Sequence, residues 1–208
     1  MLRIDLHLHS SASLDCRVEP RAVLERCRRL GLDRIFLTDH NSIEGARQLR
    51  IREPDYVLAG EEISTTEGEL IGLFLEEPVP AGLTPDEAVA GIHEQGGLVY
   101  LEHPYDEFRR HLSETAIERI ADAIQIVEVF NARCTDQANA RAEDLRATLG
   151  AAPGAGSDAH TLDGIGAAFV EMEDFRGPQD FLAKLHDCRV VKHPNRALLE
   201  LGARLRWR

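Results

Sequence analysis

The chain has 208 residues, 43% of them hydrophobic, and folding a chain of this length hides roughly 70% of its extended surface, enough to build one large core without staples. Asp and Glu number 36 against 24 Lys and Arg, and the net charge of −12 opposes attraction to polyanions, so no duplex nucleic-acid partner is expected while a small phosphorylated ligand is allowed. Cys16, Cys27, Cys134 and Cys188 are widely spaced with no C-x-x-C pair, which suggests neither a zinc knuckle nor a disulfide framework, and no apolar run reaches the ~18 residues of a membrane span.

These features predict a single domain over 1–208 that is cytoplasmic and has no membrane partner, with the oligomeric state left open. Leu2 to His9 reads as a strand in which alternation puts Asp5, His7 and His9 on one face and Ile4, Leu6 and Leu8 on the other. A helix starts at Pro20, carries Val23, Leu24, Cys27 and Leu30 on one stripe and stops at Gly31. Arg34 to Thr38 is a predicted strand, Ser42 to Arg50 a helix, Tyr56 to Ile63 a strand, and Gly68 to Leu75 a hairpin extension of it. Thr84 and Glu87 have the spacing of a capping box, with Pro85 at the first helical position and Gly96 and Gly97 as the stop.

Leu98 to Leu101 follows as a strand, Thr115 to Ile124 as a helix, Gln125 to Phe130 as a strand and Asp136 to Leu149 as a helix. Pro153 to Gly156 and Ala167 to Val170 are the last strands expected, with Pro178 to His186 and Asn195 to Arg206 as closing helices. Strands alternating with helices at this spacing imply an α/β fold with a parallel sheet of about seven strands and crossover helices, either open or closed into a barrel.

The polar residues are informative by position. His7, His9, His40, Glu62, His103, Asp158 and His160 all fall at or just past the C-terminal ends of predicted strands, where parallel barrels carry their active sites. Imidazoles and carboxylates converging from several strands would leave buried charges unpaired unless cations sat among them. The His7-Leu8-His9 pair can grip one ion from a single strand face, and Asp158 and His160 repeat its spacing. Glu62 can bridge two cations through its two oxygens, whereas Glu61 points the other way, toward the surface or behind the ligands.

Read together, Asp5-Leu6-His7-Leu8-His9-Ser10, Thr38-Asp39-His40-Asn41, Gly60-Glu61-Glu62-Ile63-Ser64, Glu102-His103-Pro104 and Gly156-Ser157-Asp158-Ala159-His160 resemble the ordered motifs of the polymerase and histidinol phosphatase (PHP) superfamily of metal-dependent phosphoesterases. The resemblance runs over most of the chain and implies a distorted (β/α)7 barrel with its metal site at the C-terminal ends of the strands. It also implies two or three divalent ions of Mn, Zn or Fe. By the same resemblance His7, His9, Glu62 and Asp158 would hold a first ion, Glu62 and His103 a second, and Asp15, His40 and His160 a third. Some trinuclear relatives supply a further histidine after the strand that here ends Glu128-Val129-Phe130-Asn131, and this chain offers Glu128 or Asn131 in its place.

The expected reaction is hydrolysis of a small phosphate ester, a monoester by preference, by a hydroxide bridging two ions near Glu62. His160 or a water bound to metal would protonate the leaving oxygen. Arg17, Arg133 and Asn131 are the expected substrate-binding residues, because guanidinium bonds phosphate oxygens in pairs, and Asp5 and Asp39 are expected to orient imidazoles from behind. Two other readings stand beside this one. A PHP module can bind metal without catalysis, and an amidohydrolase also begins its barrel with His-x-His. The latter often uses a carboxylated lysine as bridge, yet the lysines here, Lys184 and Lys192, come too late in the chain.

Overall fold

The computed structural model describes residues 1–193, so the closing helix expected over Asn195 to Arg206 lies outside the described residues. Apolar runs alternate with amphipathic ones from the start: β1 (Leu2–Asp5), α1 (Pro20–Arg29), β2 (Arg34–Leu37), α2 (Glu44–Arg50) and β3 (Val57–Thr65) give three parallel strands with helices between them. The chain then folds straight back, and β4 (Gly68–Leu73) lies antiparallel to β3 and to β5 (Leu98–Leu101), which follows α3 (Pro85–Glu94). Beyond α4 (Glu114–Arg119) and a 3₁₀ turn at Ala121–Ala123, β6 (Ile126–Asn131), α5 (Asp136–Leu149) and β7 (Ala152–Gly156) restore the parallel pattern.

The sheet order is β7-β6-β5-β4-β3-β2-β1, extended past β1 by β8 (Ala168–Met172) and, after α6 (Gly177–Leu185), by β9 (Arg189–Lys192). β1 pairs with β8 only through Leu2, Arg3 and Ile4. Past that point it crosses to β7: the Leu6 N–H donates to the Ala155 carbonyl at 3.3 Å and Leu8 pairs in parallel with Ala159. The first seven strands thereby nearly close into the barrel that the motifs imply, and β8 and β9 lie outside the ring.

Inward side chains fill the barrel: Ile4, Leu6, Phe36, Ile71, Leu73, Leu98, Tyr100 and Ile126 form one cluster, continued by Phe175, Phe181 and Leu185. Outside the ring, α1 and α2 cover Ile35, Leu37 and Val57, while α3, α4 and α5 cover Ile63, Leu70, Val99 and Val127. Hydrophobic material thus plugs the body of the barrel and leaves polar groups to its mouth.

Three elements differ from the sequence reading. The first strand ends at Asp5 rather than His9, for a reason that belongs to the site. The helix expected over Thr115 to Ile124 is one short α-helix followed by the 3₁₀ turn, with Ile117 and Ile120 still buried. β9 was not among the strands anticipated, because its four residues include only the adjacent pair Val190 and Val191, both half-exposed, and show no alternation.

The capping box forms as its spacing predicts: the Glu87 N–H donates to Thr84 Oγ1 at 3.3 Å and the Thr84 N–H to Glu87 Oε2 at 2.8 Å. Thr84→Ala removes one half of it and is expected to lower unfolding free energy by about 0.5–2 kcal/mol, read as a shift of the denaturant midpoint at constant slope.

Candidate metal centre

Asp5 sets the geometry of the site. Its fully buried carboxylate accepts the backbone N–H groups of His7 (3.3 Å) and Ser157 (3.0 Å), and burial pushes its pKa up to about 7 against the pull of those bonds. By capturing the His7 N–H it ends the β1 ladder. Side-chain parity shifts here, since Ile4 and Leu6 pack inside the barrel but Leu8 packs with the outer cluster, and His7 and His9 both turn toward the mouth. Asp5 therefore does not orient an imidazole, as the sequence reading had it; it orients the backbone that carries two of them.

Glu62, at the mouth end of β3, is the hub. Its Oε2 lies 3.2 Å from His7 Nε2, 3.1 Å from His9 Nε2 and 3.5 Å from His40 Nδ1, and its Oε1 lies 3.2 Å from His103 Nε2. Asp158 closes the other side, with Oδ1 3.5 Å from His9 Nε2 and 3.8 Å from His7 Nε2. His160 packs its ring 4.2 Å from that of His9 and places Nε2 3.0 Å from Asp15 Oδ2, which also lies 3.7 Å from His40 Nε2. All eight residues expected to hold metal thus come together around one carboxylate. Their backbone is strained where two of them turn inward, with φ of +25° at His103 and +50° at Asp158, a region L-residues rarely adopt.

The tautomers follow from what lies behind each ring. Glu128 Oε1 faces His7 Nδ1 at 3.1 Å, so the ring proton sits on Nδ1 and Nε2 is directed at Glu62. Ser13 donates its hydroxyl to Asp39 Oδ1 (2.9 Å) and accepts from His9 Nδ1 (3.2 Å), which leaves the His9 Nε2 lone pair toward the cluster. Asp39 acts on His9 through Ser13 rather than directly. Close packing of His7 needs Gly156 in β7: a Cβ there would lie 2.2 Å from the His7 Cβ and 2.9 Å from Glu128 Oε1.

Neither group offered in place of the missing histidine has a vacant donor atom. Glu128 Oε1 also accepts from the Tyr100 hydroxyl (3.0 Å), and its Oε2 accepts from the His103 N–H and Asn131 Nδ2, each at 2.9 Å. Asn131 spends its remaining contacts on Asp158 Oδ2 (3.1 Å) and the Arg133 N–H (2.9 Å).

The arginines divide. Arg133 Nη1 donates to Asp158 Oδ1 (2.7 Å) and lies 2.9 Å from His160 Nδ1, so the structure brings it to the cluster. Arg17 is exposed and enters no hydrogen bond or ion pair with the described residues of the cluster, so the structure does not bring it to the site. Arg109 does reach the cluster, bonding both Asp158 and Asp106 and lying 3.1 Å from Cys134 Sγ. The sequence signal for it was slight: an arginine in the charged loop that follows His103-Pro104. Glu61 is fully buried rather than at the surface; its Oε2 accepts the Val79 N–H at 2.7 Å and burial pushes its pKa up to about 7.

Electrostatically the cavity demands positive charge. Burial alone would drain the proton from His7, but the carboxylates of Glu128 and Glu62 outweigh it and raise the imidazolium pKa to about 10. Burial and the neighbouring His160 hold His9 well below its ordinary value, and burial with Arg109 lowers His103 to about 4, so these two rings are neutral ligands in waiting.

A family model described as the PHP domain matches residues 5–74, and one described as PHP-associated matches 136–190. The uncharacterized protein MJ1587 of Methanocaldococcus jannaschii is 38% identical over 144 residues, covering 63% of this chain and 82% of its own. The chain belongs to the PHP family. A second protein of that organism, the uncharacterized MJ0417, is 34% identical over 194 residues, 87% of this PHP chain and 78% of its own. Two solved structures share the PHP fold. One is a Bacteroides vulgatus two-domain protein described as containing a predicted PHP-like metal-dependent phosphoesterase (TM-score 0.72, 16% identity, 96% of this chain and 69% of that one). The other is described as an amidohydrolase from Chromobacterium violaceum with bound sulfate (TM-score 0.62, 18% identity, 76% and 87%).

Because the metal-free site holds a proton on His7 up to about pH 10, a cation must displace it. Loading the protein with Mn²⁺ or Zn²⁺ at pH 8 should release about one proton per chain from this ring, and apparent affinity should rise by up to about tenfold per pH unit below pH 10. Calorimetry in buffers of different ionisation enthalpy checks both; no proton release at pH 8, with affinity independent of pH below 10, would contradict the assignment.

Proposed function

We propose that this chain is a metal-dependent phosphoesterase acting on a small phosphate ester, a monoester by preference. The observation that carries the reading is the 3.1 Å approach of His7 Nε2 to His9 Nε2 beside Glu62 Oε2, each ring backed at Nδ1 by an acceptor. Two imidazole nitrogens at that separation are compatible only with a proton or a cation between them, and the donor set of neutral imidazole and carboxylate suits Mn, Zn or Fe. His7, His9, Glu62 and Asp158 would hold one ion and Glu62 with His103 a second, with Asp15, His40 and His160 the candidates for a third. When bound, such ions supply an activated water at neutral pH and positive charge for the phosphate oxygens.

The chain's own residues do the rest. Arg133 and Arg109 converge on Asp158 at the rim, their side chains 8% and 19% exposed, and put guanidinium charge where a phosphate seated over Glu62 would lie. His160 Nδ1 faces both Arg133 Nη1 (2.9 Å) and the Asp158 carbonyl oxygen (3.0 Å), and its Nε2 lies 3.0 Å from Asp15 Oδ2 at the opening. From there His160, or a water bound to metal, would protonate the leaving oxygen.

An amidohydrolase often bridges its metals with a carboxylated lysine. Here Lys184 bonds Asp180 (2.9 Å) on α6 and Lys192 of β9 lies over the Phe130 ring of β6, which leaves Glu62 as the group we place at the bridging position. The Chromobacterium violaceum structure, which has no metal, holds a sulfate, a tetrahedral dianion of the shape of phosphate, and this supports a phosphate site in this chain as well.

The test is turnover of an aryl phosphate monoester and its diester counterpart by protein loaded with Mn²⁺ or Zn²⁺. Monoester cleavage is expected, lost on chelation and restored by metal, and Glu62→Gln should lower kcat on the order of 10²–10³-fold with the fold retained. Arg109→Ala should raise KM about 10- to 100-fold with a smaller change in kcat, as removal of a charged hydrogen bond to substrate predicts. Stoichiometric metal with neither ester cleaved would favour a binding module without catalysis.

A further inference from the structure

The reading above leaves Glu102 without a task. It continues β5, whose Leu98 and Tyr100 point into the barrel, so alternation sends Glu102 to the same interior one layer nearer the mouth. Its side chain is fully buried, and neither Oε1 nor Oε2 has a hydrogen-bond partner among the described residues. Burying two carboxylate oxygens with no donor is strongly unfavourable, so a sequence that keeps such a group supplies something else to meet it.

What lies opposite is metal-binding material. One oxygen of Glu102, one of Glu62 and one nitrogen of His103 all lie within 4.8 Å of one another, a spread that a single ion at about 2.0–2.5 Å from each donor can span with small adjustments. Consecutive strand residues ordinarily face opposite sides. The left-handed turn at His103, φ +25°, swings its imidazole to the side Glu102 already faces. His103 Nδ1 is buried and unpartnered too, so the ring is not held from behind by another group as His7 is.

The second ion of the proposed centre is the one short of a ligand, and Glu128 and Asn131 have no vacant atom to give it. We propose that Glu102 is that ligand, completing with Glu62 and His103 a set of two carboxylates and one imidazole. The proposal rests on the metal-dependent reading of the site and adds to it a donor from β5. It makes the second position richer in oxygen than a site with a further histidine would be.

The experiment compares metal-free wild-type protein with Glu102→Gln, titrated with Mn²⁺. Bound metal per chain is counted by mass spectrometry and free Mn²⁺ by electron paramagnetic resonance, with circular dichroism to verify folding. The variant should bind one ion fewer than wild type, or bind it at least about tenfold more weakly. Equal count and equal affinity would overturn the role of Glu102 while leaving the metal centre standing, whereas a wild type that binds no Mn²⁺ would overturn both. Should the glutamine variant not fold, anomalous diffraction from wild-type crystals grown with Mn²⁺ decides: a peak within about 2.5 Å of the Glu102 carboxylate supports the assignment, and peaks all farther than about 4 Å refute it.

Discussion

One buried carboxylate organises the molecule. Glu62 is almost without solvent contact, and a carboxylate in that position survives only if positive charge or hydrogen-bond donors surround it. His7, His9, His40 and His103 reach it from β1, β2 and β5, and His7, His103 and His9 hold its pKa well below the usual carboxylate range against the pull of burial. The barrel can be understood as the scaffold that brings these strand ends to one point while its hydrophobic interior seals the space beneath them.

Around that hub the acidic groups are numerous. Glu128, Asp158, Glu102 and Glu69 are all buried near it, and the cations that answer them are the proton on His7 and the guanidiniums of Arg109 and Arg133. Glu69 lends an oxygen to the same region as His40 and Glu62, and burial with the charge of Glu62 pushes its pKa up. Such an excess of negative charge in a cavity suits divalent ions, since one ion can bind several carboxylates at once.

Much of this was legible along the chain, and what was not has a common cause. Ligand types announced themselves because each lies at the end of an apolar run, and β-strand parity is local. The second bond that fixes the Asp5 carboxylate was hidden because it comes from Ser157, 152 residues away, and the role of Glu128 because it depends on His7, 121 residues away. A carboxylate reads the same in sequence whether it faces a metal, an imidazole proton or water. Arg109 and Arg17 are alike as residues in polar loops; only the return of the loop after β5 over Asp158 distinguishes them.

The divided loyalty of β1, paired first with β8 and then with β7, has a bearing on how the molecule comes to be. Both partners on this edge lie more than a hundred residues downstream, although β2 on the other edge is near in sequence, so the imidazoles of His7 and His9 meet Asp158 only after most of the described chain has been threaded into place. Closure of so long a loop is slow, and it delays the rewards of the pairing to the end of folding. An ion held by both His7 and Asp158 would act as a clasp on the finished ring, and its departure would loosen first the seam at which the barrel was last sewn shut.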